Sequence, residues 1–233
     1  MNCRIWIIAI TLAAMNLFGN KFCHAEDFKI DLNTLFEQAC KKSPQAGQNT
    51  FVWWFPRQWW QANLAQYPVV QKEDLPRVLK LLEANNMIFA VRSQETGEYG
   101  ALIYKDKEEI RKTLRLKDAQ GNIYKPLADE EVNLEVRNFL NKMRPALAER
   151  VVALGQDIYF FVFPGKNDAG EEIALAKNPG RFSVSLADEE FSWQLPLPAL
   201  FPPKACPLCK RELKSDYRYC PYDGTRLPEE VQK

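Results

Sequence analysis

The chain has 233 residues, of which 46% are apolar and 26% are charged, so its composition is that of a globular protein and not of a disordered one. Its 31 basic and 30 acidic side chains nearly cancel. No strong positive field therefore favours nucleic acid as a partner. The length accommodates one ordinary domain and a small second one.

The first 25 residues are typical of a secretory signal peptide. Arg4 supplies the positive start, residues 5–18 form an apolar run, and residues 23–25 place small side chains at a cleavage site. The run is shorter than the ~20 residues that span a bilayer, which favours cleavage over the alternative of an uncleaved anchor. We expect a secreted or periplasmic chain that starts at Glu26 and has no transmembrane span. Cleavage would remove Arg4 and Lys21 and leave 29 basic and 30 acidic side chains.

The single histidine, His24, lies inside this predicted signal peptide. A mature chain without imidazole cannot use Ser-His-Asp or Cys-His catalysis, and it cannot build a metal site on histidine ligands. The composition thus excludes the commonest hydrolytic mechanisms.

The first part of the mature chain predicts helices around one short strand. Asp31 is a suitable N-cap for a helix that runs to residue 40 with apolar side chains on one face. Residues 51–55 form an apolar strand that stops at a proline. Residues 57–66 and the segment after residue 74 predict two further helices.

From residue 87 onward the pattern becomes one of strands and turns. Residues 87–93 and 99–104 predict a hairpin around residues 95–98, and a second turn is predicted at residues 118–122 between short strands. Further strands are predicted at 158–163, 182–186 and 191–195. A helix is predicted at 130–143, which Pro145 is expected to break or restart.

These elements predict an α+β fold with an antiparallel, sandwich-like sheet. Residues 26–195 form the secreted domain in this interpretation, and residues 196–203 form a stiff proline-rich linker. A small unit at 204–228 and a tail at 229–233 follow.

Residues 116–124 form a turn flanked by short strands, and a later strand ends at Phe163-Pro164. The region 114–195 resembles in these features the secreted Ig-like domains of bacterial envelope proteins. The resemblance implies a sandwich of antiparallel strands, from which the helix predicted at 130–143 departs.

Two similar turns follow the linker, Cys206-Pro-Leu-Cys209 and Cys220-Pro-Tyr-Asp223-Gly. Facing turns of this kind place four ligands around a metal, and a carboxylate can replace one thiolate. The segment resembles the zinc-ribbon family, in the variant whose second turn reads Cys-Pro-x-Asp-Gly. The resemblance implies a structural zinc ion held by Cys206, Cys209, Cys220 and Asp223, and a role in binding instead of catalysis.

Two other interpretations of the cysteines stay open. An exported chain favours disulfide bonds, and Cys206 and Cys209 have the spacing of a thiol oxidoreductase. The latter activity is typical of a βαβ unit, which the pattern does not predict here. We interpret Cys40 as a small buried side chain, since no histidine is available to activate it.

Four tryptophans lie within eight residues, at Trp53, Trp54, Trp59 and Trp60. They either pack in the core, which we favour, or form a platform that binds a sugar ring or a partner. Paired acidic residues recur at 108–109, 129–131 and 188–190, at predicted turns and helix starts where capping roles are common.

Together the observations predict a non-catalytic interaction or scaffold protein of the cell envelope with a protein partner. The alternative is a carbohydrate or cell-wall binder that uses the four tryptophans. A third, weaker interpretation is a histidine-free hydrolase with two carboxylates.

Overall fold

The structure is a computed structural model that describes residues 28–66, 70–83, 86–150 and 157–228. The predicted signal peptide, its cleavage before Glu26 and the tail 229–233 lie outside these ranges. None of the described helices combines the length and the apolar character needed to cross a membrane.

The described ranges contain five α-helices and twelve β-strands, which pair into antiparallel sheets. The helices are α1 (Leu32–Ala39), α2 (Arg57–Gln66), α3 (Leu75–Glu83), α4 (Lys107–Thr113) and α5 (Leu134–Arg150). The strands are β1 (Cys40–Lys42), β2 (Phe51–Phe55), β3 (Asn86–Arg92), β4 (Gln94–Thr96), β5 (Leu102–Tyr104), β6 (Arg115–Lys117), β7 (Ile123–Tyr124), β8 (Tyr159–Pro164), β9 (Gly180–Leu186), β10 (Glu189–Leu195), β11 (Lys204–Ala205) and β12 (Glu212–Leu213).

Two four-stranded sheets form the body of the protein, with strand orders β1-β2-β3-β8 and β10-β9-β6-β7. They pack face to face, because the ring of Trp54 in β2 lies 4.8 Å from that of Phe182 in β9. The opposite face of the first sheet is covered by helices, where Trp53 meets Phe36 of α1 with ring centroids 4.6 Å apart. The molecule is therefore an α+β fold of three layers.

The burial of each strand follows from its layer. In β10 the buried side chains Phe191, Trp193 and Leu195 alternate with polar ones, as expected for an outer sheet with one wet face. In β2 all five side chains are buried, because that strand has helices on one face and a sheet on the other. Continuous and alternating apolar patterns thus distinguish the middle layer from the outer one.

The structure confirms the helix at 57–66 and the strand at 51–55 with the predicted bounds. The hairpin prediction was wrong in its first strand. β3 pairs with β2 and β8, and the hairpin is made by β4 with β5. The reason is burial, because β3 belongs to the middle layer whereas all three side chains of β5 are exposed.

The prediction that Pro145 breaks the helix was also wrong, since α5 continues through it to Arg150. A proline inside a helix removes the hydrogen bond to the carbonyl four residues earlier, which here belongs to Asn141. Both residues are exposed, so the missing bond lies on the solvent side of the helix and costs less than it would in the core.

The proline-rich segment 196–203 lies against the body of the protein. Leu197 and Leu200 are buried in the main core. The backbone N–H of Ala199 donates to the side-chain oxygen of Gln38 in α1 at 2.9 Å. Beyond this segment, the hydroxyl of Ser215 donates to the carbonyl of Pro198 at 2.7 Å. The segment thus contacts both the body and residues 204–228, and the predicted division into domains stays a prediction.

Trp54 provides a test of the packing between the two sheets. Its side chain is 3% exposed, so Trp54→Ala should destabilise the protein by about 3–5 kcal/mol through lost contacts and a cavity. Chemical denaturation followed by circular dichroism measures this change. Tyr99→Ala is the matched control, because Tyr99 is fully exposed and its loss should cost less than about 0.5 kcal/mol. Equal effects of the two substitutions would contradict the packing described.

Candidate metal centre

The two cysteine turns near the C-terminus are built in the same way. The carbonyl of Cys206 accepts a hydrogen bond from Lys210 N–H at 3.0 Å, and the carbonyl of Cys220 accepts one from Gly224 N–H at 2.9 Å. Lys210 and Gly224 both have a left-handed backbone, with φ of 61° and 72°. Asp223 therefore occupies in the second turn the position that Cys209 has in the first.

Each turn is also closed by a hydrogen bond to the residue that follows its left-handed position. The N–H of Cys206 donates to the carbonyl of Arg211 at 2.9 Å, and the N–H of Cys220 donates to that of Thr225 at 2.8 Å. The four donor residues were predicted from the sequence, whereas the role of Lys210 was not. The equivalent residue of the second turn is Gly224. A glycine at that position indicates a left-handed backbone and could have predicted the conformation of Lys210.

The donor atoms of Cys206, Cys209, Cys220 and Asp223 all lie within 4.8 Å of one another. The sulfurs of Cys209 and Cys220 are 3.7 Å apart, and the sulfur of Cys206 lies 3.3 Å and 3.7 Å from the two carboxylate oxygens of Asp223. Around a tetrahedral ion with ligands at about 2.3 Å (sulfur) and 2.0 Å (oxygen), such pairs are about 3.8 Å and 3.5 Å apart. The cluster could therefore hold a metal ion.

Local hydrogen bonds prepare two of these groups to be anions. Burial opposes ionisation of Cys206, but the N–H groups of Cys209 and Leu208 lower the pKa of its thiol, and the former lies 3.4 Å from the sulfur. The hydroxyl and the N–H of Thr225 hold the pKa of the Asp223 carboxyl well below its usual range. Both effects favour the charged forms that bind a cation.

The thiol of Cys209 has a pKa shift in the opposite direction. A hydrogen bond from Arg211 N–H favours the thiolate of Cys209, but the Asp223 carboxylate, burial and the thiols of Cys206 and Cys220 together outweigh it and raise the pKa of Cys209 to about 12. A metal ion bound among these groups would favour the thiolate form of Cys209, because metal binding displaces the thiol proton.

The apolar core around the cluster is very small. Its buried members are Cys206, Leu213, Cys220 and Leu227, with Cys209 packed against them. So few side chains cannot offset the conformational entropy of about 25 ordered residues. The cysteines of the described ranges are free thiols, Cys40 among them, and the cluster could bind a metal ion.

The four tryptophans predicted as core or platform are all buried, with 1–3% of each side chain exposed. Trp53 and Trp54 point to opposite faces of the first sheet, and Trp59 and Trp60 extend the helical side of the core in edge-to-face contact at 4.9 Å. A stacking platform needs an accessible ring face, which such burial does not favour.

The acidic runs have local partners. Glu109 forms a reciprocal capping box with Asp106 at the start of α4, and Asp129 pairs with Lys107 and Arg111. In the β9–β10 hairpin, Glu190 accepts a hydrogen bond from Ser183 at 2.6 Å. These contacts are those of helix caps and ion pairs, and they supply no reason to assign a hydrolytic pair.

Comparison of the chain with protein-family models, with curated proteins and with solved structures found no match. Neither the zinc-ribbon resemblance nor the Ig-like one therefore has support from a related protein. The short distances among the four side chains are what indicates that they could hold a metal ion.

Cys40 provides a test of thiol accessibility outside the cluster. Burial raises the pKa of the Cys40 thiol to about 12, against the opposing effect of Lys42 and Lys41. Since only the thiolate reacts, about one molecule in ten thousand carries it at pH 8. Cys40 should therefore resist iodoacetamide in the native protein and react in denaturant, which peptide mass spectrometry measures. Rapid native labelling of Cys40 would contradict its placement in the core.

Proposed function

We propose that Cys206, Cys209, Cys220 and Asp223 hold one structural zinc ion, and that residues 204–228 form a zinc ribbon. Thiolate-rich tetrahedral sets select zinc among the common divalent ions, and a site filled by four protein ligands leaves no open position for catalysis. The observation that carries the proposal is that three sulfurs and one carboxylate place their ligand atoms within 4.8 Å of one another.

The role that we propose for the whole chain is that of an exported, non-catalytic interaction protein of the cell envelope. The ribbon supports it, because Leu208, Tyr219 and Tyr222 expose 60–69% of their surface on a very small unit. The guanidinium of Arg211 lies 4.1 Å from the ring centroid of Tyr222. Exposed aromatic and arginine side chains of this kind are typical of protein contact surfaces.

Metal content tests the first part of the proposal. The purified protein should contain one zinc ion per chain, and Cys220→Ser should lose it because a thiolate ligand is removed. Asp223→Cys should keep or raise the zinc affinity, since thiolate is the softer ligand. Elemental mass spectrometry gives the stoichiometry, and two-dimensional NMR shows whether Cys220→Ser unfolds residues 204–228 while the rest stays folded.

Cys40→Ala is the matched control for these variants, because it removes a thiol outside the cluster and should retain full zinc content. A metal-free protein with Cys206, Cys209 or Cys220 in disulfide bonds would refute the zinc site. A Cys220→Ser variant that retains stoichiometric zinc would refute the assigned ligand set.

Cross-linking tests the second part. The double variant Leu208→Ser/Tyr222→Ser should weaken capture of an envelope partner by ~30-fold, the loss expected when a contact worth about 2 kcal/mol is removed. The control Tyr99→Ser/Ile123→Ser removes equally exposed side chains outside the ribbon. It should capture the partner as the unmodified chain does. If the control loses as much, the ribbon is not the contact surface.

A further inference from the structure

A cavity of about 70 Å³ lies between α4, α5 and β8, far from the cysteines in sequence. Its wall carries four basic side chains and one acidic one, namely Lys107, Arg111, Arg137, Arg144 and Asp129. Even with Glu108 included, which lies 3.5 Å from Nε of Arg111, positive charges outnumber negative ones by four to two. The chain as a whole has nearly equal numbers of basic and acidic side chains, so the positive excess is local to this cavity.

Asp129 fixes one side of the cavity. Its two carboxylate oxygens accept from Nζ of Lys107 at 2.6 Å and from Nη2 of Arg111 at 2.5 Å. Arg111 also donates to the carbonyl of Leu127 at 2.6 Å and lies over the ring of Phe161. Its guanidinium is therefore held rigidly, while the ammonium of Lys107 keeps two of its three donors for another acceptor.

The opposite side of the cavity is a polar ridge on α5. Arg137, Asn141 and Arg144 follow each other at spacings of four and three residues, which places them on one face of the helix. Nη1 of Arg137 donates to the backbone carbonyl of Asp129 at 2.8 Å. Arg144 makes no hydrogen bond or ion pair with any residue of the described ranges. Two guanidinium groups thus retain donors that no carboxylate satisfies.

The floor of the cavity is apolar, formed by side chains of α5, β8 and the segment before α5: Leu127, Val132, Leu140, Phe160 and Val162. An apolar floor lowers the local dielectric and strengthens the attraction between the basic side chains and an anion. The volume exceeds the ~30 Å³ that one water occupies in the liquid, and it admits a small tetrahedral group.

We propose that this cavity is a binding site for a phosphate group, with Arg137 and Arg144 as its main ligands and Lys107 and Asn141 as supporting donors. Guanidinium groups donate pairs of N–H bonds that match the oxygens of a phosphate, which makes arginine the preferred residue for such sites. The phosphate comes either from a free ion or from the headgroup of an anionic lipid. The proposal is independent of the metal centre.

The site is tested by titrating the full-length, metal-loaded protein with inorganic phosphate. The ionic strength is kept constant, with chloride as the balancing anion. Isothermal calorimetry should show saturable binding that Arg137→Gln/Arg144→Gln weakens at least tenfold. Arg144→Gln alone removes a side chain without a described partner, so it separates lost binding from lost folding. Lys142→Gln is the matched control, since Lys142 is exposed on the same helix and does not line the cavity. The phosphate affinity of Lys142→Gln should stay within twofold of that of the unmodified chain.

Lipid vesicles distinguish a free phosphate ion from the phosphate of a lipid headgroup. Phosphatidylglycerol vesicles, compared with neutral phosphatidylcholine ones, should bind the unmodified chain and Lys142→Gln if the ligand is a headgroup. The double arginine variant should then lose that binding. Binding of free phosphate alone assigns the ion. If the unmodified chain binds neither probe, or if Lys142→Gln weakens binding as much as the double variant, the proposal is overturned.

Discussion

The contact between the two large sheets is the constraint on which the rest of the structure depends. Phe182 and Trp193 of the outer sheet are stacked with ring centroids 4.9 Å apart, and Trp54 and Phe89 of the middle sheet meet them edge-on. The indole N–H of Trp193 also donates to the carbonyl of Ala39 at 3.0 Å, where α1 ends. Because the middle sheet is covered on both faces, its strands must be apolar throughout. The aromatic run at 51–55 is therefore a consequence of position.

Local patterns predicted the local elements well, and they failed where the decision depends on distant residues. The helix at 57–66 is predicted by its own sequence. The pairing of β3 with β8 depends instead on a strand about 70 residues later, which a hairpin signal at residues 95–98 cannot show. Pro145 was expected to break or restart the helix because the pattern did not show that Pro145 and Asn141 lie on its exposed side.

The cluster of three cysteines and Asp223 was predictable because its structure is local. Each of its two turns is a local structure in which a proline follows the first cysteine and a left-handed residue follows the last ligand, so spacing alone determines where the donors point. The cavity beside α5 has no comparable local sequence motif. Arg137 and Arg144 share a helix, but Lys107 lies in α4 and Asp129 in the segment before α5. Only tertiary packing brings these residues together, so no short motif contains all four.

The two sites show opposite solutions to the same electrostatic problem. Around Cys206, Cys209, Cys220 and Asp223, four groups that bind cations when deprotonated lie within 4.8 Å of one another. In the cavity the excess is positive, and Asp129 neutralises only part of it. Unbalanced charge next to apolar side chains costs free energy, more so than at an open surface. The two proposals are therefore complementary in charge: a cation would balance the donors of the cysteine cluster, and an anion would balance the basic side chains beside α5.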